Sequence, residues 1–364
     1  MKRTLSVLCI LFALCIAALQ PASAKGEKKK TFVVKWSIYV GWMPWPYAEY
    51  SGILKKHAAK HGITIQLEQA SYIATLNEFT ARKADAVVAT NMDILNMSAA
   101  AGIPCVAMIV GDYSNDNDQV LGRGVSNMQG LAGQDVLMVQ GTVSQYLVAR
   151  GLEMNGMRED QIVIQNTNDE NQIPNIFRDN ASLKALVTWN PMVLEIRQMP
   201  GVKKLFGSAQ IPGEILDLMI VNKDVLDANP ALGKALTGAW YETMALMQKR
   251  GKASDDAIIY MADKSGNPKA SDETKLTEFR SQLATTAMFY NAADAVEFTL
   301  NSNFKVAMDR VRKFSFKNGL FGEGVKSVDD VGIQFPDGSI LGNPKRIRLW
   351  FDTTYMKLAA EGKL

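Results

Sequence analysis

The chain has 364 residues, of which 40 are lysine or arginine, 37 are aspartate or glutamate and three are cysteine. Residues 1–24 have the pattern of a secretory signal peptide, because Lys2 and Arg3 precede an apolar stretch that ends in Ala22-Ser23-Ala24. Without that segment the basic and acidic side chains nearly balance, and Cys105 is the one cysteine. This composition excludes a strongly basic nucleic-acid surface, an internal disulfide and a cysteine zinc site. The expected signal peptide predicts export to the periplasm.

Apolar periodicity predicts two units of alternating strands and helices, followed by a mostly helical C-terminal third. The expected strands cover residues 30–40, 63–67, 85–90, 104–110, 134–140, 161–165, 183–189 and 219–222. The expected helices cover residues 48–61, 72–82, 92–101, 141–155, 172–180, 230–250, 254–262, 272–289, 292–314 and 346–361. Because strands alternate with helices in both units, we expect parallel strands with helices on both faces.

This order predicts an α/β protein of two lobes around a ligand cleft, with a helical C-terminal extension. We assign residues 25–122 and 220–364 to a discontinuous lobe 1 and residues 123–219 to lobe 2. Hinge crossings are expected near residues 120–124 and 212–219. Ligands of open α/β sheets lie beyond the carboxyl ends of the strands, which makes the loops there candidate site loops. They cover residues 41–47, 90–93, 111–118, 141–144, 188–191 and 212–217.

These six loops contain acids and aromatic rings but no lysine, arginine or histidine. Carboxylates accept N–H bonds bidentately and aromatic faces attract cations, so the loops favour a small planar cation or a urea-like donor. An anion remains an alternative, because the helix start at Gly141 and Thr142 can offer backbone N–H groups. The candidate ligand-binding residues are Trp42, Trp45, Tyr47, Asn91, Asp93, Asp112, Thr142, Ser144, Trp189, Asn190, Glu214 and Asp217.

Several other polar residues have structural explanations. Asp116 and Asp118 lie in a polar stretch and are expected to be solvated turn residues. His57 and His61 have the spacing of a metal pair, but without a third ligand we expect a solvated helix face and no metal. Cys105 lies in an apolar strand and is expected to be a buried hydrophobic residue.

An ordered set of segments resembles the SsuA/TauA/NMT1 group of periplasmic substrate-binding proteins of ABC importers, which have the type II periplasmic-binding fold. The segments are Gly41-Trp42-Met43-Pro44-Trp45, Ala84-Asp85-Ala86-Val87-Val88, Ala101-Gly102-Ile103-Pro104, Gly130-Leu131-Ala132-Gly133-Gln134-Asp135-Val136, Gly141-Thr142 and Trp189-Asn190-Pro191. Within that group the chain is most similar to binding proteins encoded beside urea carboxylase, which are associated with urea and guanidine.

The resemblance implies a monomeric receptor, without a cofactor, that delivers a small-molecule ligand to the transmembrane subunits of an ABC permease. The loop chemistry favours guanidinium as the ligand, with urea next. A receptor for a sulfonate, nitrate or bicarbonate anion is the alternative ligand class. An enzyme related to thiamine-pyrimidine synthases shares the fold, but the cleft loops lack a histidine and the mature chain lacks a cysteine-rich segment.

Overall fold

A computed structural model describes residues 29–266 and 268–364, so the expected signal peptide lies outside the described residues. The described residues form fourteen strands and fourteen α-helices. The strands are β1 (Thr31–Trp36), β2 (Thr64–Gln69), β3 (Ala86–Thr90), β4 (Cys105–Ser114), β5 (Gln119–Arg123), β6 (Asp135–Met138), β7 (Val163–Asn166), β8 (Ala185–Thr188), β9 (Val202–Gly207), β10 (Leu216–Asn222), β11 (Thr286–Met288), β12 (Gly332–Gln334), β13 (Ile340–Leu341) and β14 (Ile347–Phe351). The helices are α1 (Pro44–Tyr50), α2 (Ile53–Lys60), α3 (Tyr72–Thr80), α4 (Asn91–Ile94), α5 (Val143–Met154), α6 (Ile173–Asp179), α7 (Met192–Arg197), α8 (Lys223–Ala228), α9 (Pro230–Gln248), α10 (Lys252–Lys264), α11 (Asp272–Leu283), α12 (Ala292–Leu300), α13 (Ser302–Lys317) and α14 (Thr354–Ala360).

The first sheet has the strand order β13-β12-β14-β4-β10-β3-β1-β2, and β11 pairs with β4. Strands β1, β2 and β3 are parallel as expected, whereas β10 runs antiparallel to both β3 and β4. Every residue of β3 and β10 is buried. These two strands are nearly continuous apolar runs because helices cover both faces of the sheet.

The second sheet has the strand order β7-β6-β8-β5-β9. All five of its strands lie between β4 and β10 in the sequence. The chain therefore crosses between the sheets twice, and β10 returns to the first sheet as the sequence predicts. Residues 120–124 were expected at the first crossing, but residues 119–123 form β5, which pairs with β8 and β9. The connections themselves are the turn between β4 and β5 and the segment between β9 and β10.

The C-terminal third departs from the helical prediction where two of its strands pair with β4. The helix expected at 272–289 ends at Leu283, and Thr286–Met288 pairs with β4 as β11. The helix expected at 346–361 is replaced by β14, which runs parallel to β4, and the shorter α14. Both segments have sheet-compatible apolar residues, and pairing with β4 satisfies backbone groups that a helix would have satisfied internally.

Two smaller expectations have different outcomes. His57 is buried, with Nε2 2.7 Å from Glu242 Oε2, so the prediction of a solvated position is wrong for this residue. Cys105 is buried as expected, and burial raises the pKa of its thiol well above the usual range. Among the described residues, no helix combines the length and the apolarity that a membrane span requires.

Candidate functional site

The carboxyl ends of β3 and β4 and the start of β10 meet at one edge of the first sheet. Asp217 pairs in register with Thr90 and with Asp112, which places the Asp112 and Asp217 side chains beside each other. Asp93 follows the end of β3, and Asp118 lies in the turn that leaves β4. We call Asp93, Asp112, Asp118 and Asp217 the acidic cluster. Each of its members is at most 3% exposed.

No arginine, lysine or histidine among the described residues forms a salt bridge with the acidic cluster. Burial without a counter-charge destabilises the ionised form of a carboxyl group. Burial accordingly raises the pKa of Asp93 to about 6 and the pKa of Asp118 to about 7, although the Ser114 hydroxyl donates to Asp118 Oδ2 over 2.6 Å. The cluster therefore consists of carboxyl groups whose ionised forms no basic side chain among the described residues stabilises.

Asp112 and Asp217 lie side by side on neighbouring strands of the cluster. Burial raises the pKa of both groups, and the negative charge of Asp112 raises the pKa of Asp217 further. Ionised carboxylates only accept hydrogen bonds, so the two groups can bond to each other only while they share a proton. Asp112 Oδ2 and Asp217 Oδ2 have no donor among the described residues. This pair is therefore suited to an external donor or cation.

Four aromatic rings form a continuous row along the cluster. The ring centroids are 5.0 Å apart for Tyr39 and Trp42, 5.4 Å for Trp42 and Tyr72, and 6.1 Å for Tyr72 and Trp189. The Tyr72 hydroxyl donates to Asp93 over 2.7 Å, and the Tyr39 hydroxyl lies 3.4 Å from Asp112 Oδ1. Trp42 Nε1 is buried without an acceptor among the described residues. The row therefore connects Asp93 to the Asp112–Asp217 pair.

Gly41 allows the backbone to approach the acidic pair closely. A Cβ atom at this position would lie 2.7 Å from Asp112 Oδ2 and 2.6 Å from the Tyr39 ring. Any larger residue would push these two groups apart. The glycine that precedes Trp42 in the sequence is thus required by the packing of the site.

The start of α5 faces Asp93, and its N–H groups are already occupied. Val143 N–H donates to Asp93 Oδ1 over 3.1 Å, which connects the helix on the second sheet to the first. Ser144 N–H donates to the Thr142 hydroxyl over 3.2 Å, and Gly141 N–H donates to Gln145 Oε1 over 3.0 Å. A protein carboxylate therefore occupies the place where an anionic ligand would bind. Thr142, a candidate ligand residue, is the N-cap of α5.

Glu214 was a candidate ligand-binding residue, but its carboxylate already forms salt bridges with two arginines. Arg150 Nε lies 2.9 Å from one carboxylate oxygen and Arg310 Nη1 lies 2.5 Å from the other. The Tyr146 hydroxyl donates to the same carboxylate over 2.5 Å. These contacts tie α5 and α13 to the segment before β10. Glu214 is thus neutralised and acts as a connection between elements.

The two asparagine candidates have their amides occupied by protein groups. Asn91 donates to the Glu214 carbonyl over 3.0 Å and accepts from Leu216 N–H over 3.2 Å, which fixes the start of β10. Asn190 Nδ2 donates to Thr285 Oγ1 over 3.2 Å, and its Oδ1 accepts from Leu194 N–H. Both side chains therefore fix backbone segments that surround the site.

The remaining candidates divide between the core and the site. Trp45 stacks on Trp240 at 5.0 Å, and Tyr47 packs edge-on against Tyr260 of α10 at 5.9 Å, so these rings have partners in the core. Ser144 is fully buried, and its hydroxyl has no partner among the described residues. Trp189 ends the aromatic row, and its Nε1 donates to the Ile38 carbonyl over 3.4 Å.

Four residues of the site were missed or undervalued in the sequence, and one of them, Tyr39, was placed inside the first expected strand. Asp118 is buried, so the prediction of a solvated turn residue is wrong for it. Tyr72 follows the carboxyl end of β2, so the strand-end rule would have found it had the loop after β2 been included. Thr286 lies on β11, where its hydroxyl accepts from Asn117 Nδ2 over 2.7 Å beside the cluster. The C-terminal extension therefore supplies one wall of the site.

A small cavity lies against the acidic pair, with Trp42, Trp45 and Trp240 in its lining. Its volume is about 10 Å³, which is room for about one water molecule. A solute as large as guanidinium therefore fits against the pair only when the side chains that line the cavity rearrange. Among the described residues, no group of three or more acidic, histidine or cysteine side chains is arranged to hold a metal ion.

The buried acids should make the stability of the free protein depend on pH. The pKa of Asp118 is about 7 in the folded chain and roughly 3.9 when unfolded, so the folded state holds more protons between these values. The unfolding free energy therefore falls as pH rises from about 4 to about 7. We expect Asp118→Asn to reduce this fall by about 1 kcal/mol per pH unit in denaturant unfolding at pH 5, 6 and 7. Equal slopes for the two proteins would contradict the raised pKa of Asp118.

Comparison with known protein families identifies the family of this chain. The family model described as NMT1/THI5 like matches residues 59–252, which is just over half of the chain. The chain belongs to the NMT1/THI5-like family. No curated protein matches the chain by sequence.

Solved structures show the fold of this NMT1/THI5-like chain. The alkanesulfonate-binding protein SsuA from Xanthomonas axonopodis pv. citri, bound to MOPS, is 13% identical with a TM-score of 0.66, over 82% of this chain and 96% of that one. The periplasmic aliphatic sulphonate binding protein SsuA from Escherichia coli is 15% identical with a TM-score of 0.65, over 81% and 95%. The periplasmic nitrate-binding protein NrtA from Synechocystis PCC 6803 is 12% identical with a TM-score of 0.57, over 92% and 99%. The architecture is therefore the periplasmic-binding-protein α/β fold, as the sequence predicts.

Proposed function

We propose that this protein is the periplasmic, non-catalytic receptor of an ABC importer for a small nitrogenous cation. Guanidinium is the favoured ligand, urea is next, and the transmembrane subunits of the permease are the partners that receive it. The observation that carries the proposal is the acidic cluster, four buried carboxyl groups without a basic partner among the described residues. The family and the fold support the role of receptor.

Guanidinium matches both chemical features of the site. Its planar N–H groups pair bidentately with carboxylates, as arginine side chains do, and its face stacks on aromatic rings. Asp112 Oδ2 and Asp217 Oδ2 supply acceptors without a donor, while Trp42 supplies an aromatic face beside them. Cation–π contact contributes about 0.5–2 kcal/mol in such a setting. Urea offers the same N–H geometry without the charge, so we rank it second among the proposed ligands.

An anionic ligand is disfavoured, although the solved relatives include sulfonate- and nitrate-binding proteins. A sulfonate or nitrate would be placed among ionisable carboxyl groups, and like charges in a buried site repel strongly. The start of α5, which could otherwise receive an anion, already donates a backbone N–H to the Asp93 carboxylate. The identity to those relatives is 12–15%, which is compatible with a different ligand class.

Capture would couple ligand binding to closure of two lobes, taken as residues 25–122 with 220–364 and residues 123–219. Polar contacts join the two sheets beside the site: Asp93 accepts from Val143 N–H, and Asn96 Nδ2 donates to the Gly141 carbonyl over 2.9 Å. A ligand that contacts both lobes binds the closed form more tightly and shifts the population toward it. The closed form is then the one that docks on the permease.

A ligand panel tests this proposal by thermal unfolding of the mature protein. Millimolar guanidinium is expected to raise the melting temperature, by mass action on the folded state, at concentrations far below denaturing ones. Urea should do so more weakly, whereas taurine, nitrate and bicarbonate should not. Mass spectrometry should recover guanidinium unchanged after incubation. Stabilisation by the anions alone would overturn the proposal.

A further inference from the structure

A second cavity of about 380 Å³ lies between α7, on the second sheet, and α10 and α11 of the C-terminal extension. Its volume is within the range of small-molecule sites, and it is far larger than the cavity at the acidic pair. Ile38 and Pro191 line its inner end, next to Tyr39 and Asn190 in the sequence. We call this cavity the interlobe groove.

The groove adjoins the wall of the acidic cluster through a short series of hydrogen bonds. The Ile38 carbonyl accepts from Trp189 Nε1, which belongs to the aromatic row. On the other side, the Gln282 carbonyl accepts from the Thr285 hydroxyl over 2.6 Å, and Thr285 Oγ1 accepts from Asn190 Nδ2. The same residues therefore border both the groove and the acidic cluster, and a ligand that occupies both must displace their hydrogen bonds.

The lining combines apolar surface with polar and charged side chains, Glu195 and Glu278 among them, and it includes one buried acceptor without a donor among the described residues. Met192, Leu194 and Phe279 contribute apolar side chains. Gln282 also lines the groove and is 7% exposed, and its Oε1 is buried without a donor among the described residues. A buried amide oxygen without a donor is costly, so this position favours a ligand that brings an N–H group. The charged Lys275 is already paired with Asp263 over 2.7 Å.

We propose that the interlobe groove receives the aliphatic tail and terminal amine of a substituted ligand, whose cationic head binds at the acidic cluster. The ligand class is then a short linear aminoalkylguanidine, and this inference rests on the proposed function of the cluster. The apolar side chains cover the methylene groups, and Gln282 accepts from the terminal amine. The tail contacts residues on both sides of the groove, so it adds affinity for the closed form.

Calorimetric titration with guanidinium and with 4-aminobutylguanidinium tests the inference on the mature protein. The wild type is expected to bind 4-aminobutylguanidinium at least tenfold more tightly than guanidinium. Gln282→Leu should remove this advantage, and Gln282→Glu should increase it, while guanidinium affinity stays within twofold in both. Gln248→Leu, at an exposed position on α9, is the matched control and should keep the wild-type ratio.

The outcomes separate the two proposals. Equal affinity of the wild type for both compounds would overturn the role of the groove, and so would an advantage that persists in Gln282→Leu. In either case tight binding of guanidinium would leave the function of the cluster intact. If the wild type binds neither compound, the proposed function itself fails and the role of the groove fails with it.

Discussion

Asp93→Asn is expected to weaken guanidinium binding by about 100-fold at pH 8, which corresponds to about 3 kcal/mol. Asp93 is ionised at this pH, because its pKa is raised only to about 6. Asparagine keeps the shape of the side chain and can still accept from Val143 N–H, so the substitution removes mainly charge. Calorimetric titration of the wild type and the variant measures the loss of affinity, which reports the electrostatic contribution of Asp93 to binding.

Asp116→Asn is the matched control for this substitution. Asp116 lies in the turn of Asp118, but its carboxylate pairs with Lys204. Its φ of 81° is in the left-handed region, where asparagine is well tolerated, so the variant should fold normally. We expect guanidinium affinity within twofold of the wild type. Equal losses in the two variants would show that the binding site lies elsewhere.

The double variant Asp112→Asn, Asp217→Asn should lose guanidinium binding and become more stable than the free wild type. The wild-type pair buries two acids side by side, and at pH 8 their ionisation is opposed by burial and by mutual repulsion. Two amides carry no charge and can hydrogen-bond to each other through N–H and C=O groups. We expect an increase of about 2 kcal/mol in the free energy of unfolding, because the uncompensated buried charge of the pair is removed.

Denaturant unfolding at pH 8 measures this gain, and circular dichroism checks that the fold is retained. Greater stability together with loss of guanidinium binding would show that the charges of the pair serve binding at the expense of stability. A destabilised variant would instead assign Asp112 and Asp217 a structural role in holding β4 against β10. If the folded variant still binds guanidinium, Asp112 and Asp217 do not belong to the binding site.

Periodicity and strand-end rules predicted most of the central strands of both sheets, but they missed β5 and β9. The apolar runs at β3 and β10 are long enough to predict buried strands, and the return of β10 to the first sheet followed from the order of the elements. The same rules placed Asp93, Asp112 and Asp217 at strand ends, where the structure brings them together. These inferences depend on local sequence and on general topology, both of which a single chain reveals.

The partners of each side chain were not predictable, because they come from distant parts of the chain. Glu214 resembled the other acids in the sequence, but Arg150 and Arg310 neutralise it from α5 and α13. Asp118 resembled a solvated turn residue, but it is buried beside Ser114. Charge compensation depends on tertiary contacts, so composition of the loops alone could not separate these acids.

The C-terminal third was the least predictable region. The short strand β11 follows α11 almost directly, and three residues are too few for a clear alternation of apolar and polar positions. Its role depends on pairing with β4, where Met288 lies opposite Asp112. The contribution of the extension to the site therefore follows from the sheet, and no local pattern indicates it.

Calorimetric titration with guanidinium at pH 7, in two buffers of different ionisation enthalpy, tests the central claim most directly. A cation stabilises ionised carboxylates and lowers the raised pKa values of the cluster, so binding should release protons to the buffer. We predict binding whose observed heat differs between the buffers by an amount that corresponds to proton release. Binding of taurine or nitrate with proton uptake, and no binding of guanidinium, would contradict the account.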